Sequence, residues 1–532
     1  MTFRNKIRPG RVFFICGVVL TILTGDTRAD VRLPALFTDH AVLQRDRPLP
    51  VWGWADAGEK VQVTLGKQSA EAMASKDGRR QVTLKAQPVS KEPLVLEVQG
   101  KNRVVVKDVF LGDVWLCSGQ SNMEFGLGGC DAGDDIRAAG QPLIRQFGVE
   151  YHFAATPQTD AKGRWAVCSP QTAPGFTAVG FYFARRVHKE TGVPIGLLRS
   201  CVGGTNIELW MSQDTLMNNP ALAAYGKLMR DSLAIYQRDL AASLPAVEAW
   251  TAKCRDEQKA GRPLPMPPMI PEFPFGEKAF RPRCVTLHNG MIAPLIPFAL
   301  RGVLWYQGEN NAGNAADGLL YIEKKRAMLT DWRKWFGDAD LPFYFVQLAA
   351  WQKPSDDPAG GDGWAHIREA QRKCLALRRT GMAVTIDIGD AADIHPKNKA
   401  DVGERLARWA LANEYGKKLE TSGPLFRELK IDGAKANVVF DHVGAGLMIG
   451  RKDGRKPDEE VRDWKLARFA IAGKDRKWVW ADARIEENTV VCTHPDVPNP
   501  VAVRYAFTMN PVGANLYNRD GLPASPFRTD DW

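Results

Sequence analysis

From residue 109 to about residue 418, short apolar runs alternate with stretches of helical periodicity, and no other feature of the chain restricts its fold so strongly. Residues 114–117, 195–200, 303–306, 342–348 and 382–388 read as buried strands. Residues 181–192, 319–335, 364–377 and 399–414 read as helices, and residues 216–259 contain one or more. Alternation of this kind predicts an α/β layer structure around a mainly parallel sheet. In such sheets the active site lies at the carboxyl ends of the strands. The residues just after each strand are therefore the informative ones.

The flanks have a different texture. Residues 31–107 are short alternating segments broken by turns, such as Val61-Gln-Val-Thr-Leu65 and Leu94-Val-Leu-Glu-Val98. Similar β texture returns after about residue 420, as in Asn437-Val-Val-Phe440 and Ala502-Val-Arg-Tyr-Ala506. The proline-rich stretch 262–274 reads as a rigid insertion, because α/β texture resumes beyond it. The expected organisation is a leader at 1–29 and a β-domain at 30–108. An α/β domain follows at 109–418, with an insertion near 213–283, and then a β-rich domain at 419–532.

Arg4, Lys6, Arg8 and Arg11 precede an apolar stretch from Val12 to Leu23, and Thr27 and Ala29 sit at −3 and −1 of a cut before Asp30. This is the three-part plan of a secretory signal peptide, and the apolar run is too short for an ordinary spanning helix. The expectation is export to the periplasm or the extracellular space, with no membrane insertion after cleavage. The whole chain carries +10, of which the leader supplies five basic residues and one acid, leaving +10 − 4 = +6. The remaining basic residues are interleaved with acids, so no nucleic-acid partner is expected. Eight cysteines follow the leader. Export permits disulfides, but sparse spacing and apolar surroundings fit buried thiols at least as well. Neither CxxC nor HExxH occurs, so no metal site and no cofactor is expected.

Four polar constellations follow predicted strands. In the first, a buried strand runs through Gly119 to Ser121. A serine on a strand-to-helix turn is exposed, and its own N–H can help bind an oxyanion. An isolated serine there is more often a helix cap. Met123 stands where the GxSxG elbow of α/β-hydrolases needs its second glycine. In the second, Gly203 and Gly204 can bring backbone N–H groups close to a ligand, or simply form a tight turn. In the third, Gln307 or Asn310 can donate an amide N–H to an oxyanion, though turn formation explains such residues too. In the fourth, Asp387, Asp390 and Asp393 precede His395. Of the eight histidines, His395 alone follows a predicted α/β strand with acids two and five residues before it. Histidine is the usual base for a serine nucleophile, and a nearby acid holds its Nδ1–H. The acid spacing does not match a calcium loop.

Taken together, Asp113-Val-Trp-Leu-Cys-Ser-Gly-Gln-Ser-Asn-Met-Glu-Phe125, Gly302-Val-Leu-Trp-Tyr-Gln-Gly-Glu-Asn-Asn-Ala312 and Asp393-Ile-His-Pro-Lys-Asn-Lys399 resemble the sialate O-acetylesterase family of SGNH (GDSL-like) hydrolases. The resemblance extends to Leu33–Gln44 near the start and to Asn510–Asn518 and Gly521–Arg528 near the end. It implies a flavodoxin-like three-layer αβα core with flanking β-rich, β-sandwich-like domains. It also implies a serine hydrolase that removes acetyl groups from O-acetylated carbohydrates without a metal. Under it, Ser121 is the nucleophile and His395 the base. Gly204, with Gly203 as the alternative, joins Ser121 in the oxyanion hole. This chain has Tyr-Gln-Gly-Glu where many superfamily members carry Gly-x-Asn-Asp, which makes Gln307 the oxyanion amide and Asn310 the second choice. The superfamily commonly places Asp three residues before His, but Ala392 occupies that position. Asp393 is then the expected orienting acid, with Asp390 or a backbone carbonyl as alternatives. A general carbohydrate O-acetylesterase is the expected activity, with sialate as the family's named substrate and acetylxylan or another hemicellulose as the alternative. The competing class is a non-catalytic carbohydrate-binding protein that uses some of the sixteen tryptophans as sugar platforms.

Overall fold

The computed structural model describes residues 30–276, 284–456 and 458–532, and the expected leader lies outside the described residues. The core sheet contains β1 (Arg103–Gly119), β2 (Gln141–Val149), β3 (Gly163–Cys168), β4 (Ile195–Cys201), β5 (Gly302–Tyr306), β6 (Phe343–Val346) and β7 (Thr380–Ala383). Their spatial order is β7-β6-β5-β1-β4-β2-β3. All neighbours are parallel except β2 and β3. The chain fills one side of β1 first and the other side afterwards, so the connections diverge at β1, where α/β sheets open a crevice.

The main helices are α1 (Ser121–Glu124, one turn), α2 (Ala178–Thr191), α3 (Ala223–Lys259), α4 (Ala315–Trp335), α5 (Gly363–Lys373) and α6 (Lys399–Tyr415). Alternation along β6 shows that the sheet is covered on both faces. Phe343 meets Trp332 of α4 on one face. Tyr344 turns to the other, where its hydroxyl donates to Glu414 of α6 and its ring packs on Trp115. Trp115 in turn meets Phe183 of α2. The core strands are almost entirely buried, as a sheet between two helical layers requires. Local signals fix the helix ends. Thr177 and Asn398 cap α2 and α6, and left-handed Gly192 and Gly416 stop them.

Two expectations change in detail. The segment expected as a strand over 382–388 leaves the sheet after Ala383. Beyond that point Thr385 bonds the Gln347 carbonyl by its side chain and Asp387 pairs with Arg405, so side-chain contacts replace the ladder. The junction expected at residues 108–109 falls inside β1. The first half of this strand pairs antiparallel with Leu94–Gln99, and its second half is the centre of the parallel sheet. The N-terminal strands Val42–Gln44, Lys60–Leu65, Gln68–Met73 and Leu94–Gln99 thus share one sheet with the core, while Leu49–Trp54 and Arg79–Leu84 pair with each other in a sheet of their own. The insertion contains α3, in which only Gly226 and Met229 are buried and which carries Pro245 in its interior. Residues 420–532 form small antiparallel sheets around Val438, Phe469, Val490 and Phe527.

Cys117, Cys130, Cys168, Cys201, Cys254, Cys374 and Cys492 are free thiols, most of them buried. Among the described residues, no helix is long and apolar enough to cross a membrane.

Asp135 ties the core to the C-terminal region. It accepts from Tyr182 at 2.6 Å and Arg185 at 2.7 Å, and pairs with Arg455 at 2.8 Å. Partial burial pushes its carboxyl up, but these three partners outweigh it and hold the pKa at about 2. A carboxyl depressed in the folded state stabilises above its unfolded pKa, and that contribution is lost as pH falls through the folded value. Asp135→Asn is expected to lower stability at pH 7 by about 2 kcal/mol. The gap from wild type should close between about pH 4 and pH 2, as read by urea midpoints across that range.

Candidate active site

Three strands deliver their ends to one level. Gly119 is paired with Cys201 of β4 on one side and Tyr306 of β5 on the other. Its φ is +127°, and a Cβ there would lie 2.2 Å from the Tyr306 carbonyl oxygen. Glycine is therefore required for the turn to nest against β5. The Gln120 N–H donates to that same carbonyl at 2.9 Å, and its side-chain oxygen faces the N–H groups of Gly308 and Asn310. Ser121 follows as the first residue of α1, where backbone N–H groups have no intrahelical partner.

His395 comes from the segment between β7 and α6. Its Nε2 lies 2.8 Å from Ser121 Oγ, across 274 positions of sequence. The Phe125 ring stacks on the imidazole at 5.9 Å with 16° between planes. Asp393 places an oxygen 3.4 Å from His395 Nδ1, and the same oxygen accepts the His395 backbone N–H at 2.8 Å. Its side chain is 46% exposed, so its electrostatic contact with the imidazole is screened by water. Asp390 is turned into its own loop, where it accepts the Ala392 N–H.

The glycine pair divides its roles. The Gly203 N–H donates to Glu124 Oε2 at 2.8 Å. Gly204 is left-handed, with φ +67°, and among the described residues its N–H has no partner. Gly203 nevertheless lies against the serine, since a Cβ on it would sit 3.3 Å from Ser121 Cβ.

Gln307 does not present a free amide. It is fully buried, its Nε2 donates to Thr205 O at 3.1 Å and Asn311 Oδ1 at 2.8 Å, and its Oε1 accepts from Tyr321 at 2.8 Å. Both N–H groups expected to reach an oxyanion are thus engaged, one with the Gly204–Thr205 loop and the other with Asn311. Behind them Asn311 donates to Glu208, which pairs with Lys324 at 2.6 Å. Asn310, the second choice, is exposed and directs its side-chain amide at Asn206 Oδ1. That amide keeps a second N–H.

Sequence reasoning passed over Asn122, Glu124, Glu309 and Lys399. All four stand within the quoted blocks, one to four residues from an expected site residue. The only signal available was that polar residues outnumber what a turn needs.

Comparison with known proteins bears on this geometry. The family model described as "Carbohydrate esterase, sialic acid-specific acetylesterase" matches residues 111–244 and 283–412. A solved structure of a carbohydrate acetylesterase from Xanthomonas citri is 37% identical, with a TM-score of 0.77, covering 94% of this chain and 100% of that one. The chain belongs to the carbohydrate esterase, sialic acid-specific acetylesterase family. It is a carboxylic ester hydrolase. Sialate O-acetylesterases of Mus musculus and Homo sapiens are 28% and 27% identical, each covering 98% of this chain and 98% and 97% of their own lengths. The two family-matched segments contain Ser121, Gly203, Gly204, Gln307, Asn310 and His395, and they omit the proline-rich part of the insertion.

Gln307→Leu would leave the buried Thr205 O without its partner and would remove one of the two bonds made by Asn311 Oδ1, which keeps Ile207 N–H, and by the Tyr321 hydroxyl, which keeps the Gln307 carbonyl. A loss of about 2–3 kcal/mol in urea unfolding is expected. Unchanged stability with a kcat lower by ~10²–10³-fold would instead return Gln307 to the oxyanion hole.

Proposed function

We propose that this esterase is an exported sialate-type O-acetylesterase that works through an acyl-enzyme on Ser121. The observation that carries the reading is the 2.8 Å contact between Ser121 Oγ and His395 Nε2 at the strand ends. His395 takes the hydroxyl proton as Ser121 attacks the acetyl carbonyl. The developing oxyanion accepts from the N–H groups of Ser121 and Gly204, and the free side-chain N–H of Asn310 is the third donor. Each such donor is worth ~3–4 kcal/mol when pre-organised. His395 then protonates the departing sugar hydroxyl, and water reverses the sequence to release acetate.

Asp393 supports the imidazole as a nearby negative charge. At 3.4 Å and half exposed, it falls short of the buried, hydrogen-bonded acid of a protease triad. The chemistry is of the SGNH type. The acetylated sugar is assigned from the family description and from the names of the mouse and human relatives. Export is assigned from the leader pattern at residues 1–29.

Acetate release across O-acetylated sialic acids, acetylated xylo-oligosaccharides and mannans tests the substrate. Preference for xylan esters would overturn the sialate assignment and leave the mechanism standing. Ser121→Ala should lower kcat on p-nitrophenyl acetate by at least ~10³-fold. Asp393→Ala should cost only about tenfold, whereas a loss near ~10⁴-fold would make it a full triad member.

A further inference from the structure

Each of the three catalytic blocks contributes a second buried polar residue, and the three meet beneath the nucleophile. Asn122 follows Ser121, Glu309 follows the β5 end, and Lys399 opens α6 four residues after His395. Asn122 and Lys399 are 1% exposed and Glu309 8%. Asn122 Nδ2 donates to Glu309 Oε1 at 2.6 Å and to the Ile394 carbonyl at 3.0 Å, while its Oδ1 accepts from Lys399 Nζ at 2.5 Å. We propose that Asn122, Glu309 and Lys399 form a buried clamp that sets the position of His395 relative to Ser121, with Lys399 as the residue that fixes the orientation of the Asn122 amide. This rests on the assignment of Ser121 and His395 as nucleophile and base.

An ammonium has no acceptor, and an ionised carboxylate has no donor. With Lys399 on one side and Glu309 on the other, the Asn122 amide has only one satisfied orientation. That orientation aims an N–H at the Ile394 carbonyl, the peptide group directly before His395. If the amide turned over, its oxygen would face that carbonyl, and the His395 backbone would be pushed away from Ser121. Asp393 cannot replace this restraint, because it bonds the His395 N–H from the exposed side.

The surroundings fit a held cation. The Phe125 and Tyr306 rings face Lys399 Nζ at 5.3 and 5.4 Å, and Phe125 also stacks on His395. Cys130 and Asp393 are the other titratable groups near it. Burial, partly offset by Cys130, Glu309 and Asp393, lowers the Lys399 pKa to about 8. Burial raises that of Glu309. Keeping two such groups charged inside a protein is costly, and a buried pair of this kind is a poor source of stability. A role in positioning accounts for it better.

The test compares wild type, Lys399→Met, Lys399→Gln, Asn122→Asp and Ser121→Ala on p-nitrophenyl acetate, with Tm measured for each. Lys399→Met and Asn122→Asp are expected to lower kcat by about 10–100-fold, the scale of a small misplacement of a catalytic group. KM should stay within about twofold. Lys399→Gln retains an N–H donor for Asn122 Oδ1 and should recover most of the loss seen in Lys399→Met. Labelling of Ser121 by a fluorophosphonate should slow in parallel with kcat. Wild-type kcat in Lys399→Met and Asn122→Asp would overturn the clamp. So would equal losses in Lys399→Met and Lys399→Gln, or losses that follow Tm. Activity retained by Ser121→Ala would instead overturn the underlying mechanism, so the two failures are distinguishable. If Lys399→Met does not fold, Asn122→Asp and Lys399→Gln decide the matter by the same readouts.

Discussion

The site exists because three parallel strands stop at the same level. Sheet hydrogen bonds hold β1, β4 and β5 side by side, and neighbouring strands lie about 4.8 Å apart. The turns carrying Ser121, Gly203 and Gln307 therefore begin as close neighbours, whatever the loops do afterwards. Gly119 is a close-packed point of this arrangement, since a side chain there would run into the Tyr306 carbonyl. His395 has no such ladder. It arrives at the end of a segment held by individual side-chain contacts, from Thr385 and Asp387 through to Asp393.

That difference explains what could be read from the sequence and what could not. The strands at 195–201 and 302–306 announce themselves by unbroken apolar runs, and polar residues immediately beyond them mark the site. Ser121 was legible in the same way, after the apolar run at 114–117, whereas the strand expected to lead to His395 stops at Ala383 and only the acids before the histidine marked it. The direction of an amide was not legible. Gln307 has the composition of an oxyanion donor, yet both of its N–H groups turn inward to Thr205 and Asn311. Spacing cannot say whether a side chain after a strand faces the crevice or braces the neighbouring loop. Likewise, an acid two residues before a histidine can bond the backbone N–H as readily as the ring. Asp393 takes the N–H at 2.8 Å and only approaches the ring.

Charge burial was illegible for a related reason. Lys324 and Lys325 of α4 are both fully buried, although lysines in a helix read as its solvent face. Lys324 pairs with Glu208, which supports the Gln307–Asn311 network behind the glycine loop. Lys325 Nζ lies over the Phe345 ring. Helical periodicity reports which face carries apolar residues, and it cannot anticipate a cation accepted into the core by one partner from a distant loop.

β1 has a further consequence. Its seventeen residues serve the N-terminal strands over one half and carry the nucleophile turn at the end of the other. Local opening follows units of continuous hydrogen bonding, so fraying of the N-terminal sheet would loosen the strand on which Ser121 depends. The N-terminal β-region is therefore not a detachable module placed before an enzyme. It is the outer half of the beam that supports the chemistry, and the smallest autonomous catalytic unit has to begin well before the first catalytic motif.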